Sequence, residues 1–239
     1  MNKYFIVTLL LLFIQSGPAL AAPYKLAPIG ITTNDAMDIG TSIPFVDLFK
    51  LSLPFEEARP WITKGRISYD ANGWPKSLNH GTASTRFASH IPADALPKGN
   101  YTVLYDGHGV IQYGVGARLL HRTRGKDIIS LTPDKKSEIS ATLSTVRCDP
   151  SDYIRNIKIL MPGGVCIRDL FRRVNNANEC GGRRFLSFAT HHEQLTFNPD
   201  YLNFMKDFKV LRFMNMSGIT RNDMRFWHER ATPQQTTWA

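Results

Sequence analysis

Three cysteines, seven histidines and a set of tryptophans and tyrosines are the side chains of this 239-residue chain with the most chemistry to offer. Cys166 and Cys180 flank a polar stretch, Ile167 to Glu179, that has neither helical nor strand period, and in an oxidising compartment their pairing staples a loose loop. Cys148 then stays a free thiol. A metal reading has less to stand on. No CxxC or HExxH spacing occurs, and the adjacent His191-His192 cannot converge on one point from a regular strand, where neighbours face opposite sides. No metal and no cofactor is expected.

Trp61, Trp74 and Tyr105, with Tyr101 and Tyr113 beside them, offer flat faces of the kind that stack on the apolar side of a sugar ring. Trp74 is the best placed, following the Asn72-Gly73 turn and preceding Pro75. The competing role for all of them is core packing, which the burial habits of aromatics favour. Asp207, Asp223 and Glu229 read as solvated acids, so no catalytic residue is assigned. The basic runs His121-Arg122-Thr123-Arg124-Gly125-Lys126, Arg172-Arg173 and Arg183-Arg184 lack the interleaved aromatics of a nucleic-acid surface and read as solvated loops. Nucleic acid is not an expected partner.

The chain that must position these groups has a globular balance, with 43% hydrophobic and 21% charged residues, and a net charge of +9 that favours acidic partners without choosing among them. Its start reads as an address. Lys3, the eleven-residue apolar run Tyr4 to Ile14 and the Ala19-Leu20-Ala21 cleavage pattern form a secretory signal over residues 1–21. The apolar run is too short to span a bilayer, which takes about 20 residues. The expected product is exported, periplasmic or extracellular, with no stable membrane anchor after cleavage.

Residues 22–34 read as an extended lead-in. Short strands separated by turns follow: Phe45–Ser52, Arg66–Tyr69, Ala83–His90, Tyr101–Tyr105, Val110–Arg118, Asp127–Leu131, Glu138–Val146 and Ile154–Met161. Glu138–Val146 is the clearest, with Ile139, Ala141 and Leu143 alternating against polar neighbours. This spacing predicts a mainly β fold, an antiparallel, jelly-roll-like β-sandwich over 22–165, then a disulfide-pinned loop over 166–196. From there the grammar changes. Asn198-Pro199-Asp200 is a helix start, with Tyr201, Met205 and Phe208 at helical spacing and an apolar strand, Val210 to Met214, after them. Val210, Leu211 and Phe213 are expected to pack back on the sandwich, hiding an apolar edge.

The motifs Phe45-Val46-Asp47-Leu48-Phe49, Asn72-Gly73-Trp74-Pro75-Lys76, Gly99-Asn100-Tyr101, Met161-Pro162-Gly163-Gly164-Val165-Cys166, Phe197-Asn198-Pro199 and Val210-Leu211-Arg212-Phe213-Met214 occur in this order. Together they resemble the amino-terminal part of a family of exported bacterial proteins labelled cellulose-binding or glycosidase-like, in which a β-sandwich precedes a (β/α)8 barrel. The resemblance implies that residues 197–239 begin an incomplete TIM barrel, with Arg212 and Asn215 at the top of its first strand. Asn215-Met216 stands where the family pattern has Asp-Trp, so a carboxylate and an aromatic are replaced. The family's Asn-Glu acid/base pair lies beyond the matched segment. The resulting expectation is a truncated, carbohydrate-related protein with no catalytic site of its own and a polysaccharide as partner. The alternatives are a free-standing carbohydrate-binding module and a binder of acidic polymers.

Overall fold

A computed structural model of the chain describes residues 29–33, 36–59, 65–213 and 225–236. The signal segment, Trp61 and Asn215 lie outside the described residues. Eleven strands come first: β1 (Gly30–Thr32), β2 (Glu56–Arg59), β3 (Ser68–Tyr69), β4 (Pro75–Ser77), β5 (Thr82–Pro92), β6 (Asn100–Asp106), β7 (Gly109–Val115), β8 (Ala117–Thr123), β9 (Lys126–Leu131), β10 (Glu138–Cys148) and β11 (Arg155–Leu160). Then come β12 (Gly164–Cys166), β13 (Asp169–Val174), β14 (Phe185–Ser187), helices α1 (Phe188–His191) and α2 (Pro199–Met205), and β15 (Val210–Arg212).

Two four-stranded antiparallel sheets, ordered β2-β5-β10-β7 and β11-β6-β9-β8, carry the fold. The arrangement is mainly β and consistent with a β-sandwich. Strand β10 shows why these residues pair as they do: Ile139, Ala141, Leu143 and Thr145 are buried, while the residues between them reach toward solvent. Val103 and Tyr101 of β6, Ile129 of β9, Ile159 of β11 and Phe87 of β5 complete the same hydrophobic cluster. Removing one of these side chains, as in Leu143→Ala, is worth about 2–5 kcal/mol.

The stretch Val110–Arg118, read as one strand, is two. The chain leaves the first sheet at Gly116, whose N–H bonds Ser140 O at 2.8 Å, and enters the second as β8. A Cβ on Gly116 would sit 2.6 Å from Thr132 O, so only glycine permits the crossing. Phe45–Ser52 is likewise not a strand. Asp47 Oδ1 accepts from Phe49 N at 3.0 Å and from Ile159 N at 2.8 Å, capping a short 3-10 turn over Leu48–Leu51.

The Cys166–Cys180 disulfide is present, and Cys148 is free. The segment it closes is more ordered than a loop. β12 pairs antiparallel with both β13 and β14, so the stretch read as aperiodic supplies one strand, β13, of a three-stranded sheet. Its period is hidden by a bulge, where β12 advances one residue, Cys166 to Val165, while β13 advances from Asp169 to Arg173.

Helix α2 starts where the sequence places it, with Asn198 Oδ1 accepting from Asp200 N at 3.0 Å. β15 follows, but it does not hide its side chains on the sandwich. It pairs in parallel with β1, Gly30 opposite Val210 and Thr32 opposite Arg212, and leaves Val210, Leu211 and Phe213 exposed. The lead-in was thus a strand whose partner lies far along the chain.

Candidate functional site

Of the aromatic residues proposed for sugar stacking, Trp74 and Tyr101 are brought into the interior. Asp70 Oδ1 accepts from the backbone N–H of both Asn72 and Trp74 at 2.9 Å, folding the turn that tucks Trp74 inward. The indole is 2% exposed, stacked on Phe49 at 5.6 Å between centroids, and its Nε1–H donates to Gln234 O at 2.9 Å. Tyr101 is buried, its hydroxyl donating to Pro97 O at 2.7 Å. Neither ring presents a face to solvent.

Tyr105 and Tyr113 converge instead on a carboxylate that the sequence reading missed. Asp127, fully buried on β9, accepts from Arg122 Nε at 2.9 Å, Arg122 Nη2 at 2.6 Å, Tyr113 OH at 2.8 Å and Tyr105 OH at 3.5 Å. Arg122 Nη2 also donates to Ile111 O at 2.7 Å. The run 121–126, expected as a solvated loop, is therefore the end of β8, a turn and the start of β9. The one signal for this was Arg122 and Asp127 on either side of Gly125. Burial, and then the Asp127 carboxylate, hold both phenols above their ordinary value of 10.0, so they are donors and not bases near neutral pH. The cluster ties β7, β8 and β9 together through one buried carboxylate.

Two concavities stand out among the described residues. One, of about 570 Å³, lies on the outer face of the first sheet and is lined by Arg86, Ser89, His90, Asp134, Glu138 and Ser140. Its charges are mutually satisfied: His90 Nδ1 meets Glu138 Oε2 at 2.8 Å and Arg86 pairs with Asp38.

The other, of about 480 Å³, opens between the carboxyl end of β1 and helix α2. Thr32, Thr33, Thr41 and Ser42 line it with Asp94, Asn198, Tyr201 and Phe204. Its walls are rigid. Asn198 caps α2 and also donates from Nδ2 to Ile43 O at 3.0 Å, while Thr33 N and Oγ1 donate to Arg212 O at 2.9 and 3.3 Å. The Arg212 carbonyl, the one strand-end group here that the sequence singled out, thus ties β15 to the cleft edge. Tyr201 OH is buried with no hydrogen-bond partner among the described residues, and burial raises its pKa. Phe204 is 57% exposed at the rim, braced by Phe208 at 5.4 Å. The threonine and serine lining and the exposed Phe204 ring suit an uncharged polyhydroxyl ligand, while the Tyr201 hydroxyl is shielded from the cleft. Asp200 holds Arg173 at 2.9 Å, which leaves Asp94 as the cleft's other carboxylate. Among the described residues no three potential metal ligands cluster.

Comparison with protein-family models, curated proteins and solved structures finds no match to this chain.

Proposed function

We propose that this chain is the sandwich-bearing portion of an exported, glycosidase-like carbohydrate protein, and that it holds a neutral saccharide in the cleft between β1 and α2 without hydrolysing it. The observation that carries the reading is the parallel β1–β15 pair, preceded by α2, with a threonine- and serine-lined cleft at its carboxyl end. In open α/β sheets and (β/α)8 barrels, ligands sit at the carboxyl ends of parallel strands. On this reading β1 and β15 belong to an incomplete TIM barrel, and the exposed Val210 and Leu211 of β15 form the kind of face that such a barrel buries. The family resemblance supports the assignment of β15, which lies within residues 197–239.

Export is supported by the leader pattern and by the disulfide, a bond that persists in oxidising compartments. Among the described residues no helix is long and apolar enough to cross a membrane. Hydrolysis with retention needs two carboxylates about 5 Å apart on separate strands, one as acid and one as nucleophile. With Asp200 committed to Arg173, the cleft does not supply that pair.

The alternative of a free-standing module using Trp74 is disfavoured by the burial of that ring. Retention on insoluble neutral polysaccharide separates the readings. Binding through the cleft survives about 0.5 M salt and falls with Phe204→Ala, whereas loss with salt alone signals charge-driven binding to an acidic polymer. Retention that is indifferent to Phe204→Ala contradicts the cleft.

A further inference from the structure

The basic runs Arg172-Arg173 and Arg183-Arg184 find a setting that the proposed carbohydrate cleft does not use. The first lies in β13 of the β12–β13 hairpin, whose turn end is locked by the Cys166–Cys180 disulfide, and the second follows that disulfide in the chain. The register jump in that hairpin throws Leu170, Phe171 and Arg172 out of the ladder, because β13 advances from Asp169 to Arg173 while β12 moves by one residue. A bulge re-aims side chains, and here it turns consecutive apolar residues outward. Ile167, Leu170 and Phe171 are 42%, 46% and 51% exposed.

Arginines flank this wedge along the chain and across the sheet. Arg168, at the hairpin turn with φ of 69°, and Arg184, whose carbonyl accepts from Ile167 N at 2.9 Å, form no ion pair among the described residues. Arg172 has its guanidinium on Glu179 O at 3.3 Å, a contact that holds the group beside the wedge without neutralising it. Arg183 reaches Asp169 only at 3.9 Å. Exposed apolar side chains flanked by arginines on a disulfide-locked hairpin have two simultaneous needs: a hydrocarbon phase for the tip and a sheet of negative charge at its level. A soluble acidic polymer meets the second need and not the first. A bilayer bearing anionic headgroups meets both.

We propose that the disulfide-locked β12–β13 hairpin docks the protein on anionic phospholipid membranes, with Ile167, Leu170 and Phe171 entering the acyl boundary and Arg168, Arg172 and Arg184 contacting headgroup phosphates. Docking is peripheral and reversible, since the wedge is three side chains wide.

The test is co-sedimentation of the full chain with phosphatidylglycerol vesicles and, separately, with phosphatidylcholine vesicles, for the wild type and for Leu170→Ser/Phe171→Ser. Both proteins carry the same leader, so the difference between them reads the hairpin. The expected result is preference for phosphatidylglycerol and a loss of about fivefold or more in the double variant. Equal sedimentation of the two proteins overturns the proposal, and so does a loss that is the same on both lipids. Phe171→Trp keeps the apolar bulk and controls for folding: it sediments as the wild type does and its emission shifts to the blue on phosphatidylglycerol. An unshifted emission overturns insertion.

Discussion

Arg122 and Asp127 grip each other across the β8–β9 turn, Nε on Oδ1 at 2.9 Å and Nη2 on Oδ2 at 2.6 Å, with the carboxylate wholly buried and the guanidinium one-third exposed. The fork geometry is available to arginine and not to lysine. Arg122→Ala leaves a buried carboxylate with only phenols to hold it, and the expected cost is about 3–5 kcal/mol in chemical denaturation. Arg122→Lys recovers only part of this. A loss below about 1 kcal/mol in Arg122→Ala would show that the pair is incidental.

The phenols on Asp127 give the protein an alkaline limit. Burial and the adjacent carboxylate raise the Tyr113 and Tyr105 pKa values above 10.0 in the folded chain. The folded state therefore binds these protons more tightly than the unfolded one. The corresponding stability is fully present below the unfolded value and is lost as pH rises through the folded values. Tyr113→Phe removes one such group, so its unfolding free energy declines less steeply above about pH 10 than that of the wild type. Ultraviolet titration of tyrosinate checks the order of ionisation.

The disulfide closes a ring across a sequence separation of 14 residues, which is worth about 3 kcal/mol in the chain-entropy description. Cys166→Ser/Cys180→Ser is expected to lose stability of that order. Peptide mapping without reduction should return one cross-link, Cys166 to Cys180, and one free thiol at Cys148. A cross-link involving Cys148 would contradict the assignment.

No turnover of aryl-glycosides or cellulose is expected from the purified chain, because an acid and a nucleophile must face each other from separate strands. Turnover abolished by Asp94→Asn or Asp200→Asn would overturn this expectation and place catalysis in the cleft.

What was legible in the sequence was what local pattern encodes. The alternation in β10 and the Asn198-Pro199-Asp200 cap are both present, because each is decided by residues within one element. The rest depended on distant partners. Asp47 caps a turn by reaching Ile159 N as well as Phe49 N, so the apolar run around it looked like a strand. The bulge at Leu170 to Arg172 broke the period of β13, and β1 acquires its identity from Val210 to Arg212 at the other end of the chain. For Trp74, the best placed of the stacking candidates, core packing is the favoured role, and it is the one found: Asp70 folds the turn inward and the Thr232–Thr236 segment covers it, with Thr236 N on Asn72 O at 3.0 Å.

The most direct measurement of the carbohydrate reading is backbone chemical-shift mapping during titration with a panel of neutral oligosaccharides. The account predicts that at least one saccharide moves the resonances of Thr32, Thr33, Thr41, Asn198 and Phe204 together, and that Phe204→Ala weakens the response about tenfold, as expected for loss of one stacked ring. Silence across the panel, or shifts confined to surfaces away from the cleft, would contradict it.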